Sequence, residues 1–151
     1  MKLVECVPNF SEGRRPDVVA KIRDAIAATE GVAILDVSSD QSHNRTVITF
    51  VAPVERAVDA AFAGIREARG LIDLNHHTGE HPRMGATDVV PFIPLEGATM
   101  EDCIVLAARS ANALAKSWRF RYSCTSAPRR DRSARILPTS AAASSRAFAT
   151  R

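Results

Sequence analysis

The residues best suited to chemistry lie in one short segment, Gly79-Glu80-His81-Pro82-Arg83-Met84-Gly85-Ala86. Its two glycines and its proline disfavour an ordinary helix, so the segment is predicted to be a shaped loop. His81 can both accept and donate a proton near neutral pH. Arg83 carries a planar set of donors that can bind a carboxylate. The spacing alone fits a surface histidine on a solvent loop equally well, so both interpretations stay open here.

The elements that must position this loop follow a regular order of strands and helices. Apolar and β-branched runs predict strands at 3–7, 32–37, 45–52 and 89–95, and apolar residues at helical spacing predict helices after Pro16, Pro53 and Thr99. Thr99 and Asp102 resemble a capping pair at the start of the third helix. The order β-α-β-β-α-β-α contains the split βαβ arrangement in its first six elements. The predicted fold class is therefore α+β, a ferredoxin-like βαββαβ subdomain with an extra helix and an irregular C-terminal tail.

The charge is divided unevenly between two parts of the chain. Residues 1–115 carry 11 Lys/Arg and 16 Asp/Glu, a net charge of −5, whereas residues 116–151 carry 9 Lys/Arg and one acid, a net charge of +8. The second part has no apolar period, which is typical of disorder. We therefore predict a folded domain over 1–115 and a basic, disordered or out-of-frame tail over 116–151.

Composition excludes several classes of protein. No apolar run approaches the length of a membrane span, and the N-terminus lacks a signal-peptide pattern. Three widely spaced cysteines without a Cys-x-x-Cys pair fit a reducing cytoplasm. His77 and His81 are four residues apart, but Gly79 interrupts the helix that would place them on one face, so no metal site is predicted. Glycine-rich phosphate loops are absent from the sequence.

Four sequence blocks carry a resemblance to a known family. They are Leu3-Val4-Glu5-Cys6-Val7-Pro8-Asn9-Phe10-Ser11-Glu12-Gly13, His43-Asn44-Arg45-Thr46-Val47, the loop 79–86, and Ala86-Thr87-Asp88-Val89-Val90-Pro91-Phe92-Ile93-Pro94. Together they resemble the N-terminal subdomain of glutamate formimidoyltransferase, over about residues 2–110. The resemblance implies two ferredoxin-like subdomains with a substrate tunnel between them.

The same resemblance implies a function and a set of site residues. Members of the family move a formimidoyl group from N-formimidoyl-L-glutamate to tetrahydrofolate, the cosubstrate, in histidine degradation. His81 is then the catalytic residue, and Arg83, Asn9, Asn44, Asp40 and Gly85 are candidates for binding the glutamyl substrate or the folate. Asn9 and Asn44 are explained equally well by turn formation. Family members tend to carry an acid in the loop after the second strand that could polarise the histidine; here Ser38 stands where some members have it, and Asp40 is the nearest substitute as a partner of His81. Turn formation is the alternative for Asp40 as well.

Two other hypotheses are weighed against this one. In the first, the chain is a non-catalytic ferredoxin-like binding module whose basic tail, with aromatic residues among arginines, contacts nucleic acid; the acidic body argues against it. In the second, the chain is inactive alone because it lacks the second subdomain, which it would need in cis or in trans, and its uncovered apolar face favours oligomerisation.

The tail also invites a hypothesis about the gene. Codons can be chosen for residues 116–146 so that reading from one nucleotide back gives a string that contains the apolar run I-P-V-F-L-Y, similar to what the family has at this point. We expect a frameshift in this region. Sequencing the encoding DNA across the codons for residues 111–118 tests it, since an unbroken reading frame would contradict it.

Overall fold

The structure is a computed structural model that describes residues 1–80 and 84–117 with their side chains. It adds the backbone of Trp118 and of residues 121–125 and 144–148. The elements, in chain order, are β1 (Leu3–Cys6), β2 (Asn9–Phe10), α1 (Pro16–Ala27), β3 (Ala33–Asp40), β4 (Arg45–Pro53), α2 (Val54–Leu71), a 3-10 turn (Leu74–His76), β5 (Thr87–Pro94), α3 (Met100–Trp118), β6 (Arg121–Thr125) and β7 (Ser144–Phe148). Of the described helices, none is both long and apolar enough to cross a membrane.

The first strand is central to the sheet and is divided by Pro8. Its halves β1 and β2 each pair antiparallel with β4 on one side and β5 on the other. β3 pairs with β4 and lies outside it. The order β3, β4, β1/β2, β5, with antiparallel neighbours throughout, is that of the split βαβ arrangement. The predicted α+β, ferredoxin-like class is confirmed.

The core lies between the helices and one face of the sheet. Along β4, buried and half-buried residues alternate, so that Thr46, Ile48, Phe50 and Ala52 point to one face. Ile48, Phe50 and Ala52 join one buried apolar cluster with residues of α1, α2 and α3. Five apolar residues of α1 recur at helical spacing; Val18, Val19, Ile22 and Ile26 are buried, and Ala25 is half-buried. The helical period thus identified the buried face of α1 almost completely.

The described part of the tail contains two strands that composition did not predict. β6 and β7 pair with each other, and β7 pairs with two residues of β5, through Val90 and Pro91. The tail is therefore not irregular throughout. Most of the predicted basic tail lies outside the described residues, so the proposed boundary at residue 115 stays a prediction. These strands form through pairing with neighbouring strands, and the composition of a segment does not show whether it will have such a partner.

The predicted capping pair at the start of α3 is confirmed. The Asp102 amide donates to Thr99 Oγ1 over 3.2 Å, and the Thr99 amide donates to Asp102 Oδ2 over 2.9 Å. Lys2 Nζ lies 3.0 Å from the same carboxylate. The N-terminal residues are thereby joined to the start of α3.

Replacement of this cap gives a first prediction. Thr99→Ala removes an acceptor from the first turn of α3 and should lower the free energy of unfolding by about 1 kcal/mol. Urea denaturation measures it. Ser117→Ala, at the exposed far end of the same helix, is the matched control. Equal unfolding midpoints for the two variants would contradict the role of the cap.

Candidate functional site

The loop predicted to carry chemistry is described at its two ends. His81, Pro82 and Arg83 lie outside the described residues, so their predicted roles are untested. Before them, the Thr78 carbonyl accepts from Asn44 Nδ2 over 3.0 Å, and the Glu80 amide donates to the Ser42 carbonyl over 3.4 Å. The N-terminal end of the loop therefore rests on the turn between β3 and β4.

The C-terminal end of the loop is fixed from two directions. The amides of Met84 and Gly85 both donate to Asp88 Oδ1 over 3.1 Å. The Gly85 carbonyl accepts from Ser11 Oγ over 2.8 Å, and the Ser11 amide donates to the Ala86 carbonyl over 2.9 Å. Gly85, a predicted binding residue, is buried and holds the loop end through both its amide and its carbonyl.

The turn between β2 and α1, residues 11–13, is buried although it is polar. The Glu12 carboxylate accepts from the backbone amides of Arg14 and Arg15, each over 2.9 Å, and from Arg15 Nε over 2.6 Å. It therefore satisfies donors at the start of α1 that the helix itself leaves unpaired. Burial raises the pKa of Glu12, but these hydrogen bonds outweigh it and hold the pKa below its ordinary value.

Gly13 allows this turn to press against the β3–β4 turn. A Cβ atom built on Gly13 would lie 2.6 Å from the Arg45 nitrogen and 2.8 Å from the Arg45 carbonyl oxygen, and closer still to the Asp40 carbonyl. All three neighbours are backbone atoms, which cannot rotate away. Only glycine permits this approach.

Asn44, a predicted binding residue, joins three segments. Its backbone is left-handed, with φ of 50°, and its side chain is buried. Oδ1 accepts from the Gly13 amide over 2.8 Å, while Nδ2 donates to Thr78. The turn role predicted as an alternative for this residue is observed, together with a contact to the loop end.

Asp40, the predicted partner of His81, is engaged with another histidine. Its Oδ1 accepts from the His43 amide over 2.9 Å, and its Oδ2 lies 2.8 Å from His43 Nδ1. These hydrogen bonds, from the backbone amide first and then from the ring, lower the pKa of Asp40. Asp40 thus closes the β3–β4 turn, and any contact with His81 falls outside the described residues.

Asn9 and Phe10 occupy opposite faces of β2. Asn9 is half-buried, and its Nδ2 donates to the Val7 carbonyl over 3.1 Å, which is a local turn bond. Phe10 is 1% exposed and belongs to the core. The local bond explains Asn9 without a ligand, and its predicted role in binding stays a prediction.

Sequence reasoning did not assign the residues that hold the loop. Ser11, Glu12, Thr78 and Asp88 were within or beside the quoted blocks, yet none was predicted to have a role. Glu12 offered a usable signal, since an acidic residue just before a proline-initiated helix is typical of a helix start. Ser11 bonds to a carbonyl 74 residues away, and Thr78 accepts from side chains 34 and 64 residues away, which no local pattern reveals. Asp88 accepts from amides only three and four residues before it, but nothing in its residue type alone indicates this bond.

Two further features bear on what the site can bind. Over residues 1–80 and 84–117, no group of three or more His, Cys, Asp or Glu side chains is arranged to hold a metal ion.

A groove of about 240 Å³ lies between α1 and β3, beside Arg14 and Arg23. Arg14 donates to the Gln41 carbonyl and to Thr78 Oγ1, and Arg23 pairs with Asp24. Both guanidinium groups therefore bond to the chain's own atoms.

The fold is a two-layer α+β domain. The β2–α1 and β3–β4 turns of this domain hold the two ends of a loop whose sequence contains His81. Residues 3–139 match the model of the formiminotransferase domain, N-terminal subdomain. The chain belongs to this family.

Named relatives agree with this assignment. The chain is 62% identical to a glutamate formimidoyltransferase of Thermoplasma acidophilum over 107 residues, 71% of this chain and 35% of the relative. It is 51% identical to a formimidoyltransferase-cyclodeaminase of Sus scrofa over 115 residues, 76% of this chain and 21% of the relative. A glutamate formimidoyltransferase of Streptococcus pyogenes is 43% identical over 113 residues, 75% of this chain and 38% of the relative. The chain thus spans between about a fifth and two fifths of the length of these relatives.

Proposed function

We propose that this chain supplies the histidine-bearing part of a folate-dependent formimidoyltransferase. The observation that carries the proposal is the family match, which includes the block Gly79–Ala86 with His81 in it. Relatives named glutamate formimidoyltransferase support N-formimidoyl-L-glutamate as donor and tetrahydrofolate as acceptor. The reaction then belongs to histidine degradation. The two buried free thiols among the described residues, Cys6 and Cys103, fit a reducing cytoplasm.

The proposed transfer needs one group that first accepts a proton and then donates it. Nitrogen N5 of tetrahydrofolate attacks the formimidoyl carbon and loses a proton, and the bond from that carbon to the glutamate nitrogen breaks as this nitrogen gains one. An imidazole with a pKa near neutrality can take the first proton and return it to the leaving nitrogen. His81 is proposed for this role, and Arg83 is proposed to hold a carboxylate of the substrate or of the folate.

The chain is proposed to act with a second subdomain, in cis or in trans. The matched part of the relatives is a minor share of their length. A site that encloses both substrates gains much of its rate from holding them in position, and one subdomain alone cannot enclose them. Exposed apolar side chains on the outer strand β3, Leu35 and Val37, support association with another chain or with a second copy.

Turnover with and without the remaining part of a relative tests this proposal. The 151-residue chain alone should give no measurable transfer from N-formimidoyl-L-glutamate to tetrahydrofolate. Mixed with the segment that follows the matched one in the Thermoplasma acidophilum relative, it should give turnover, and His81→Ala should lower this at least about 100-fold. Size-exclusion chromatography of the chain and of the mixture separates self-association from assembly.

Two results would contradict the proposal. One is turnover by the chain alone, which would show that a second subdomain is not needed. The other is turnover in the mixture that His81→Ala leaves unchanged, which would remove the imidazole from the mechanism. His76→Ala, at an exposed histidine paired with Asp73, is the matched control.

A further inference from the structure

Asn44 occupies a position that restricts both its backbone conformation and the hydrogen bonding of its side chain. Its backbone is left-handed, a conformation that only Gly, Asn and Asp adopt without much strain. Its side chain is buried, so its donor and its acceptor both need partners. It has them: Oδ1 accepts from the Gly13 amide, and Nδ2 donates to the Thr78 carbonyl. Asparagine is the residue that meets all these demands.

The two partners belong to different parts of the site. Gly13 lies in the β2–α1 turn, 31 residues before Asn44, and Thr78 lies 34 residues after it, at the N-terminal end of the loop 79–86. Both distances, 2.8 and 3.0 Å, are those of well-formed hydrogen bonds. One planar amide group therefore fixes the distance between the turn and the end of the loop.

The other end of the loop is tied to the same turn. Ser11, two residues before Gly13, bonds through its hydroxyl to the Gly85 carbonyl and through its amide to the Ala86 carbonyl. Ser11 is 1% exposed, so these bonds form away from water. The three-residue turn 11–13 thus holds both ends of the loop, directly at one end and through Asn44 at the other.

We infer that Asn44 is a positioning residue, which couples the loop end at Thr78 to the β2–α1 turn. The coupling itself rests on the described hydrogen bonds. Its consequence for catalysis rests on the proposed function, because the loop carries His81.

Two variants of Asn44 separate its two bonds. Asn44→Asp keeps the left-handed conformation and the acceptor for Gly13, but it replaces the donor to Thr78 with an oxygen that repels the carbonyl. Asn44→Gly keeps the conformation and removes both bonds. Amide hydrogen exchange of the full chain, followed residue by residue by NMR, reports on both sides of the bridge.

The expected pattern differs between the variants. In Asn44→Asp, the Glu80 amide should exchange about tenfold faster while the Gly13 amide keeps its protection; in Asn44→Gly, both should exchange faster. The amides of β4 from Ile48 to Val51 should be unchanged in both, because a loss of global stability would accelerate these too. Unchanged exchange at Glu80 in Asn44→Asp, or equal acceleration throughout the chain, would overturn the inference.

Turnover in the two-part mixture adds the catalytic readout. Asn44→Asp should lower kcat at least about tenfold with little change in KM, since the loop would be misplaced while the substrates still bind. An unchanged kcat would refute the positioning role. If the wild-type mixture gives no turnover, the proposed function fails, but the exchange pattern still decides whether Asn44 couples the loop to the turn.

Discussion

Gly13→Ala will lower the free energy of unfolding by about 3 kcal/mol. The added methyl group would meet backbone atoms of Asp40 and Arg45, which belong to the paired strands β3 and β4 and cannot move aside cheaply. Either the β2–α1 turn shifts, which breaks the Gly13–Asn44 hydrogen bond, or the β3–β4 turn opens. Urea denaturation of the purified chain measures the loss.

Gly70→Ala is the matched control for this substitution. Gly70 lies in the last turn of α2, and a Cβ atom built there has nothing within 4 Å. The same chemical change should therefore raise the free energy of unfolding by about 0.5 to 1 kcal/mol, because alanine loses less conformational freedom in a helix. The two variants should move the unfolding midpoint in opposite directions. A Gly13→Ala protein as stable as wild type would mean that the two turns are not in close contact.

Glu12→Gln will lower the free energy of unfolding by about 2 kcal/mol near neutral pH. The glutamine keeps an acceptor for the backbone amides at the start of α1, but its amide nitrogen would face the Arg15 guanidinium, which is also a donor. Glu12 is 2% exposed, so the new amide nitrogen would be buried beside this donor, while only the Arg15 side chain, which is half exposed, can turn to water. Urea denaturation at two pH values measures the effect.

The pH dependence of this effect has a definite sign. The folded-state pKa of Glu12 lies below its ordinary value of 4.5, because the hydrogen bonds to the carboxylate outweigh its burial. The ionised group therefore stabilises the fold fully above the unfolded-state pKa, and this contribution is lost as the pH falls through the folded-state pKa. The difference between wild type and Glu12→Gln should shrink on going from about pH 7 to about pH 3. The exposed Glu96→Gln is the control, and a difference that grows in acid would contradict the assignment.

Local patterns predicted the parts of this fold that depend on neighbouring residues. The buried stripe of α1, the cap at Thr99 and the order of strands and helices follow from spacings of two to four residues, which report on one element at a time. The first strand was predicted over residues 3–7, which agrees with β1, but the short strand β2 beyond Pro8 was not predicted. Its two residues become a strand because β4 and β5 pair with them from both sides.

The contacts that hold the loop could not be predicted in this way. Ser11 binds a carbonyl 74 residues away, and Asn44 binds one 34 residues away. A backbone carbonyl is present at every position, so a contact to it imposes no requirement on the residue type of the partner. Asn44 shows the limit: its type fits a turn equally well, and only the structure shows that its amide also reaches Thr78.

The divided central strand has a consequence for synthesis of the chain. Val4 lies opposite both Ala52 and Pro94, so the first strand cannot be paired on both sides until some 90 residues have been made. At roughly 5 to 20 residues per second, this takes roughly 5 to 18 s. During that time Val4, Cys6 and Phe10, which are all fully enclosed in the finished protein, have no complete set of neighbours. The nascent chain therefore exposes this apolar strand early and can bury it only after β5 has been made. Its yield in a cell should then depend on chaperones as well as on its final stability.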